Sequence, residues 1–373
     1  MYTPVILSLL LLLALVSSAS NAAEQRQLKV YNWADYMDKR VLRKFEQETG
    51  IDVVYDTYAS SAEVEAAIVA GGQGYDIVVP SLDFMAKQIR YGFFKRLDQN
   101  LLTNYGNLDR LILRKAAKMD IQNAHGVPYM WGTTGIGYNL DLVAEVLGDD
   151  APTDSWDLLF KPKNLAKLAQ CGVSVIDEPT ELYAIALNYL GKNPNSTATS
   201  DYRQATEQLL AGLTKHINYF DSTDYAERLA NGEICVALGW SEDIYQAMAH
   251  AEAGRPGVTI SYSIPKEGTV QRVDMLAIPE LTENVSEAHE FINFLMRPDV
   301  AAANTNYLAN PNAIPSSRYM IDEAITQNQA IYPSQAVQAK LFTNNPRKTR
   351  LRQAIEDEWT VLIGNHKSAV ADR

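Results

Sequence analysis

The sequence predicts an α/β fold on three observations. Short apolar runs recur along the chain, stretches with apolar residues at helical spacing separate them, and Gly, Pro and capping residues mark the junctions. No internal repeat and no low-complexity tract interrupts the alternation.

In order, Leu28, Val30 and Tyr31 read as the first strand. Asp38 followed by Val41, Leu42 and Phe45 reads as the cap and apolar face of a helix that ends at Gly50. Ile51 to Thr57 is the next strand, and Ser60 with Glu63 makes a capping box for a helix to Ala70. "YDIVVP", Tyr75 to Pro80, is an apolar run of the kind buried on both faces of a parallel sheet, leading into a helix from about Leu82 to Tyr91. "GVSVID" (172–177), "EICVALGW" (233–240) and "GVTISYSIP" (257–265) repeat the theme. The glycines of "MWGTTGIGYN" (130–139) resemble a dinucleotide loop, but the G-x-G-x-x-G spacing fails and no ribose-binding acid follows. A backbone crossing between two lobes fits better. The last helix is expected from Pro346 to Ile363, capped by Asn345, with Leu351, Ile355, Trp359 and Leu362 as the face packed on the body.

Composition narrows the function. Residues 1–22 carry no charged side chain, Val5 to Val16 is almost wholly apolar, and Ser20-Asn21-Ala22 supplies small residues for cleavage. This reads as a secretory signal (1–22) cleaved near Ala22, too short for a membrane span. No later segment is long and apolar enough to span a bilayer, so the mature protein is expected to be soluble. A 373-residue chain usually makes two domains. The net charge of −12 argues against nucleic acid and is compatible with cationic partners.

Cys171 and Cys235 are the only two cysteines. In an exported chain one disulfide is the default reading, with two buried free thiols as the alternative. The five histidines are scattered without paired ligand spacing, so neither a metal site nor a cofactor is expected. Asn195-Ser196-Thr197 matches a glycosylation acceptor, a triplet that also arises by chance. With no G-x-S-x-G, no Walker sequence and no Ser-His or Cys-His pair, no catalytic constellation emerges.

What remains is a recurring chemistry at strand ends. The first strand runs into Trp33, Asp35 and Tyr36, and "VVPSLDF" into Ser81 and Asp83. "SVIDEPTELYA" supplies Glu178 and Glu181, "VALGWSEDIY" supplies Trp240, Glu242 and Asp243, and "QRVDMLA" supplies Asp274. Ligands of open α/β sheets sit outside the carboxyl ends of strands. Carboxylates accept ammonium hydrogens and ring faces attract cations, so this set suits an organic cation. Singly, such a Trp is more often core and such an Asp a helix cap; the recurrence carries the reading. Glu242, beside Asp243, reads as a solvated helix start.

The blocks "YNWADY", "YDIVVPS", "PYMWGTTGIGYN", "SWDLLFKP", "NYLGKNPNS", "ANGEICVALGWSED" and "SIPKEG" resemble the periplasmic polyamine-binding proteins of bacterial ABC importers, most of all the putrescine-binding branch. The likeness runs from about Leu28 to Gly364. It implies a two-lobed (type II) periplasmic binding protein with two crossing hinge strands and no catalytic activity. Its expected lobes are 27–132 with 255–308, and 133–254 with 309–373. Carried over by position, the ligand-binding set is Trp33, Asp35, Tyr36, Ser81, Glu181, Trp240, Asp243 and Asp274, and the family's cysteine pair falls on Cys171 and Cys235.

Three departures stand out against that branch. Ala34 replaces a small hydroxyl residue, Asp83 a serine, and Arg272 an aromatic. Asp83 and Arg272 therefore join the expected site, and a pair between them across the cleft would neutralise the guanidinium, which cannot deprotonate. Either Tyr307 or Leu308 stands for the family's late aromatic.

The resemblance implies a monomeric periplasmic receptor that delivers a putrescine-like diamine or short triamine to an inner-membrane permease. The alternatives are a receptor docking on a membrane sensor, and a binder of an amine-acid such as 4-aminobutyrate.

Overall fold

The computed structural model describes residues 26–34, 36–58, 61–70, 74–254 and 257–371. The expected signal segment with its cleavage point, Asp35 and the capping Ser60 lie outside the described residues.

Nine strands form among them: β1 (Gln27–Trp33), β2 (Asp52–Tyr58), β3 (Ile77–Val78), β4 (Gly126–Asn139), β5 (Val173–Val175), β6 (Tyr219–Phe220), β7 (Val236–Trp240), β8 (Ile260–Ser263) and β9 (Gln271–Ala277). They hydrogen-bond in the order β2-β1-β3-β9-β4-β7-β5-β6, with β8 also on β4. Strand β4 is the shared member, and all its residues are buried. Its first half pairs antiparallel with β9, from Gly126 opposite Ala277 to Thr133 opposite Gln271. From Thr134 onward it pairs with β7, and from Ile136 with β8. The chain thus leaves one sheet and enters another between Thr133 and Thr134. Each sheet with its helices is one lobe of a two-lobed α/β fold.

The glycines of the crossing strand serve packing. A Cβ on Gly137 would stand 2.5 Å from Ile244 Cδ1, and one on Gly132 2.7 Å from Glu242 Oε2. Only a bare backbone lets the helix after β7 come that close.

Most expected elements form within a few residues of their expected ends. Asp38 caps the helix Lys39–Thr49 by accepting from the Arg40 amide, and Gly50 closes it with φ 68°. "YDIVVP" pairs over only two residues, parallel to β1 but antiparallel to β9, so the sheet is mixed rather than parallel at that point. The following helix is Leu82–Ile89. The last helix starts at Thr349, not Pro346. The Asn345 amide donates to Asn195 Oδ1 and Arg347 Nε to Tyr202 Oη, which ties that segment to the second lobe before the helix can begin. Leu351, Ile355, Trp359 and Leu362 are buried as expected.

The return crossing departs from the expected boundaries. Strand β8 still lies on the second-lobe half of β4, so the chain recrosses over residues 264–270 rather than near 255. Residues just after 308 stay with the first lobe: the Trp131 amide donates to Pro311 O and the Ala313 amide to Tyr129 O. Backbone pairing, which spacing does not reveal, sets both limits.

Cys171 and Cys235 form a disulfide with Cα atoms 5.4 Å apart. It sits at the start of the neighbouring strands β5 and β7, within the second lobe.

Candidate functional site

The first-lobe wall grows from the end of β1. Trp33 closes that strand and tilts against Tyr58 at 4.6 Å between ring centroids. Its indole Nε1 is buried and donates to no described residue. Tyr36, three residues on, donates its hydroxyl to Asp274 Oδ2 at 2.8 Å. Asp274 lies in β9, opposite Ser81 in an isolated bridge, and is only 6% exposed. Its second oxygen, Oδ1, accepts no hydrogen bond among the described residues. Ser81 sits at the N-cap position of the helix Leu82–Ile89 but makes no side-chain capping bond.

The second-lobe wall grows from β7. Trp240 closes it, and the helix Ser241–Gly254 begins at once with Glu242 and Asp243 in its first turn, where a helix N-terminus favours negative charge. Asp243 Oδ2 accepts the Tyr225 hydroxyl at 2.6 Å, and that hydroxyl accepts the Trp240 amide at 2.9 Å. Glu181 Oε2 accepts the Thr134 hydroxyl at 2.5 Å and the Trp240 indole at 3.3 Å, so a residue of the crossing strand orients it. Glu178 stands at the head of the same helix, Pro179–Tyr189. No hydrogen bond or ion pair reaches its carboxyl or that of Asp83 among the described residues.

Arg272 takes a different partner from the one expected. It pairs with Glu242 rather than Asp83, Nη1 donating to Oε1 at 2.6 Å, and its guanidinium lies 4.7 Å from the centroid of the Trp240 ring. Ser241 Oγ donates to the other Glu242 oxygen at 2.9 Å. Glu242 is therefore not a solvated helix start. Arg272 stands opposite Gly132 on the crossing strand, and the missing Cβ there makes room for the Glu242 carboxylate. Asp83 is exposed on the helix after β3.

Two cavities meet along this surface. One, of about 380 Å³, is bounded by Asp83, Glu178 and Glu181. The other, of about 630 Å³, is bounded by Tyr36, Glu242, Asp243 and Asp274, with both Tyr307 and Leu308 at its edge. Trp33, Trp240 and Arg272 line both. Six carboxyl groups therefore face one guanidinium.

The electrostatics follow from that imbalance. Burial, opposed by Arg272 and the Tyr36 hydrogen bond, pushes Asp274 up to about 6. Burial and then the neighbouring Glu242 charge push Asp243 up to about 6. Burial and then Glu181 push Glu178 up to about 7. Glu181 is raised by burial, against the pull of Arg272. Tyr36 and Tyr225 are driven well above the usual phenol range by burial and by their carboxylate partners, so both stay protonated donors. Burial works against the Arg272 charge, but Glu242, Glu181, Asp274 and Asp243 outweigh it and hold the guanidinium protonated. Such a surface can take up a cation of more than one charge, whose arrival would relieve carboxylate repulsion.

The cleft thus brings together the expected Trp33, Tyr36, Ser81, Asp83, Glu181, Trp240, Asp243, Arg272 and Asp274; Asp35 is outside the described residues. Sequence reasoning missed Glu242 as a cleft residue and the buried Tyr225 behind Asp243, and it left Glu178 out of the expected set. Glu178 was visible among the strand-end acids. Tyr225 lies in no motif and carried no signal.

Among the described residues, no group of three or more His, Cys, Asp or Glu side chains is arranged to hold a metal ion.

Comparison with known proteins gives a consistent picture. Residues 40–333 match the family model for bacterial extracellular solute-binding protein. The putrescine-binding periplasmic protein PotF of Escherichia coli K12 is 45% identical over 345 residues, covering 92% of this chain and 93% of that protein. The putrescine-binding periplasmic protein SpuD of Pseudomonas aeruginosa UCBPP-PA14 is 45% identical over 347 residues, covering 93% and 94%. Among solved structures, the spermidine/putrescine ABC transporter substrate-binding protein PotD of Streptococcus pneumoniae superposes with a TM-score of 0.82 at 25% identity, covering 91% of this chain and 99% of that one.

Proposed function

The chain belongs to the bacterial extracellular solute-binding proteins, and from that premise we propose that it is a periplasmic receptor that captures an aliphatic polyamine for import by an ABC permease. The observation that carries the reading is the cleft's charge: six carboxyl groups against one arginine, with buried Asp274 Oδ1 lacking a partner among the described residues. A polyammonium ligand supplies the missing positive charge. Tyr36 and Tyr225 orient Asp274 and Asp243 toward one ammonium, and Trp33 and Trp240 offer ring faces to the methylenes. Ser81, Asp83, Glu178 and Glu181 meet the other end. Asp35, between Trp33 and Tyr36 in the sequence, completes the proposed set.

Closure would proceed by the lobes rotating about the two crossings, at residues 133–134 and 264–270, so that the walls on β1 and β9 and on β7 enclose the ligand. The closed form is what a membrane permease would read. The signal segment 1–22 would place the mature protein in the periplasm, as a monomer without catalytic activity or cofactor. The pairing of Arg272 with Glu242 speaks against an amine-acid ligand, since the guanidinium already has a carboxylate partner.

Isothermal titration calorimetry against diamines, triamines and amino acids tests the reading. Heat with a diamine or triamine is expected, with micromolar affinity corresponding to about −8 kcal/mol. Silence with every polyamine and a clear isotherm with 4-aminobutyrate would overturn it.

A further inference from the structure

Arg272 divides the cleft. It lies against Trp240 with its centre 4.7 Å from the ring centroid, and it lines both cavities. On one side stand Asp243 and Asp274, on the other Asp83, Glu178 and Glu181. Glu242 compensates the guanidinium at 2.6 Å but does not remove its field from the passage, and the guanidinium covers a face of Trp240 that a ligand cation would otherwise use.

We propose that Arg272 is a specificity-determining residue that makes the cleft select α,ω-diamines over polyamines with an internal ammonium. The inference rests on the polyamine reading above and deepens it. A ligand joining the two acidic compartments must pass its middle between Trp33, Trp240 and Arg272. Methylenes are neutral and pack there without penalty. A secondary ammonium at that point meets a like charge that cannot deprotonate, and one of the aromatic faces that would have stabilised it, on Trp240, is already taken. The repulsive element, rather than any added attraction, sets the discrimination. Glu242 is the companion device: it keeps the half-buried guanidinium paired, and Gly132 gives it the space.

The test is calorimetry on the full mature chain with putrescine, cadaverine, norspermidine and spermidine. Three proteins are compared: wild type, Arg272→Met, which keeps a stem against Trp240, and the double variant Arg272→Met/Glu242→Gln. The double variant removes one charge of each sign, so a general change in attraction for cations cancels. Wild type is expected to bind its best diamine at least tenfold tighter than either triamine, and in the double variant that ratio should fall at least fivefold. Thermal melts confirm that each variant is folded, and the single variant should move the ratio in the same direction. A wild-type protein that binds triamines as tightly as diamines, or a ratio that moves less than fivefold in the double variant, overturns the assignment of Arg272. Failure of wild type to bind any amine is a different result and overturns the polyamine reading itself.

Discussion

The two acidic compartments of the cleft are built differently. In the larger one, Asp243 and Asp274 each accept a tyrosine hydroxyl, from Tyr225 at 2.6 Å and Tyr36 at 2.8 Å. In the smaller one only Glu181 is oriented by donors, while Glu178 and Asp83 receive no hydrogen bond among the described residues. Fixed carboxylates favour one geometry of an incoming ammonium because little ordering remains to be done on binding. Free carboxylates adapt to where the other end of the ligand arrives. The contrast separates an anchoring end from an accommodating end.

The largest expected effect lies at the anchor. Asp274→Asn or Asp243→Asn removes one member of a buried charge pair with the ligand, a loss of about 3–5 kcal/mol. Calorimetry should show affinity reduced a hundredfold or more, since about 1.4 kcal/mol is tenfold. Wild-type affinity in both variants would break the comparison.

Next comes a control of similar energy that should leave both compartments alone. Replacing Cys171 and Cys235 with serine opens a loop of sequence separation 64. Chain entropy puts the lost stability at about 4 kcal/mol. Denaturant melts should register that loss, whereas affinity below the transition should change less than about threefold, because no cleft contact passes through the pair. A large affinity loss in folded protein would tie the anchor's geometry to the disulfide.

The pH dependence is smaller and has a definite sign. Asp243 and Asp274 are both pushed up to about 6 by burial, so each must lose its proton to hold an ammonium. Lowering the pH from 7.5 to 5 should weaken binding by about tenfold for each acid that must ionise. Between the unfolded value near 4 and the folded value near 6, the folded ligand-free protein binds more protons than the unfolded chain. Its stability should therefore rise on acidification through that window, opposite to the trend in affinity. Parallel trends would show that these acids are not the ones titrating.

The smallest effect belongs to the accommodating end. Glu178, pushed up to about 7, is partly neutral at physiological pH, so Glu178→Gln removes a fraction of one charge. Affinity at pH 7 should fall no more than about threefold, within the weak range of half-exposed ion pairs. A loss as large as that of Asp274→Asn would make the two compartments equivalent.

Much of the cleft was legible in sequence because its chemistry sits at strand ends. Trp33 and Trp240 are the last residues of β1 and β7 and Asp243 lies three residues beyond β7, and an apolar run broken by an aromatic and an acid is visible without coordinates. The disulfide was legible from cysteine count and compartment. What escaped was long-range pairing. Tyr225 reaches Asp243 from a separate helix, and the start of the last helix depends on Asn195 and Tyr202, more than a hundred residues away.

By itself the sequence determined the α/β alternation, the crossing role of "MWGTTGIGYN" and the acidic character of the cleft, because periodicity, glycine content and side-chain charge are local properties. Only the tertiary structure decided the partner of Arg272. On paper Asp83 is the expected carboxylate and Glu242 a solvated helix start. The difference lies in the crossing: Arg272 stands opposite Gly132, the helix after β7 packs against that bare backbone, and Glu242 arrives at 2.6 Å while Asp83 remains in its own exposed turn. A half-buried guanidinium pairs with the carboxylate that packing brings to it.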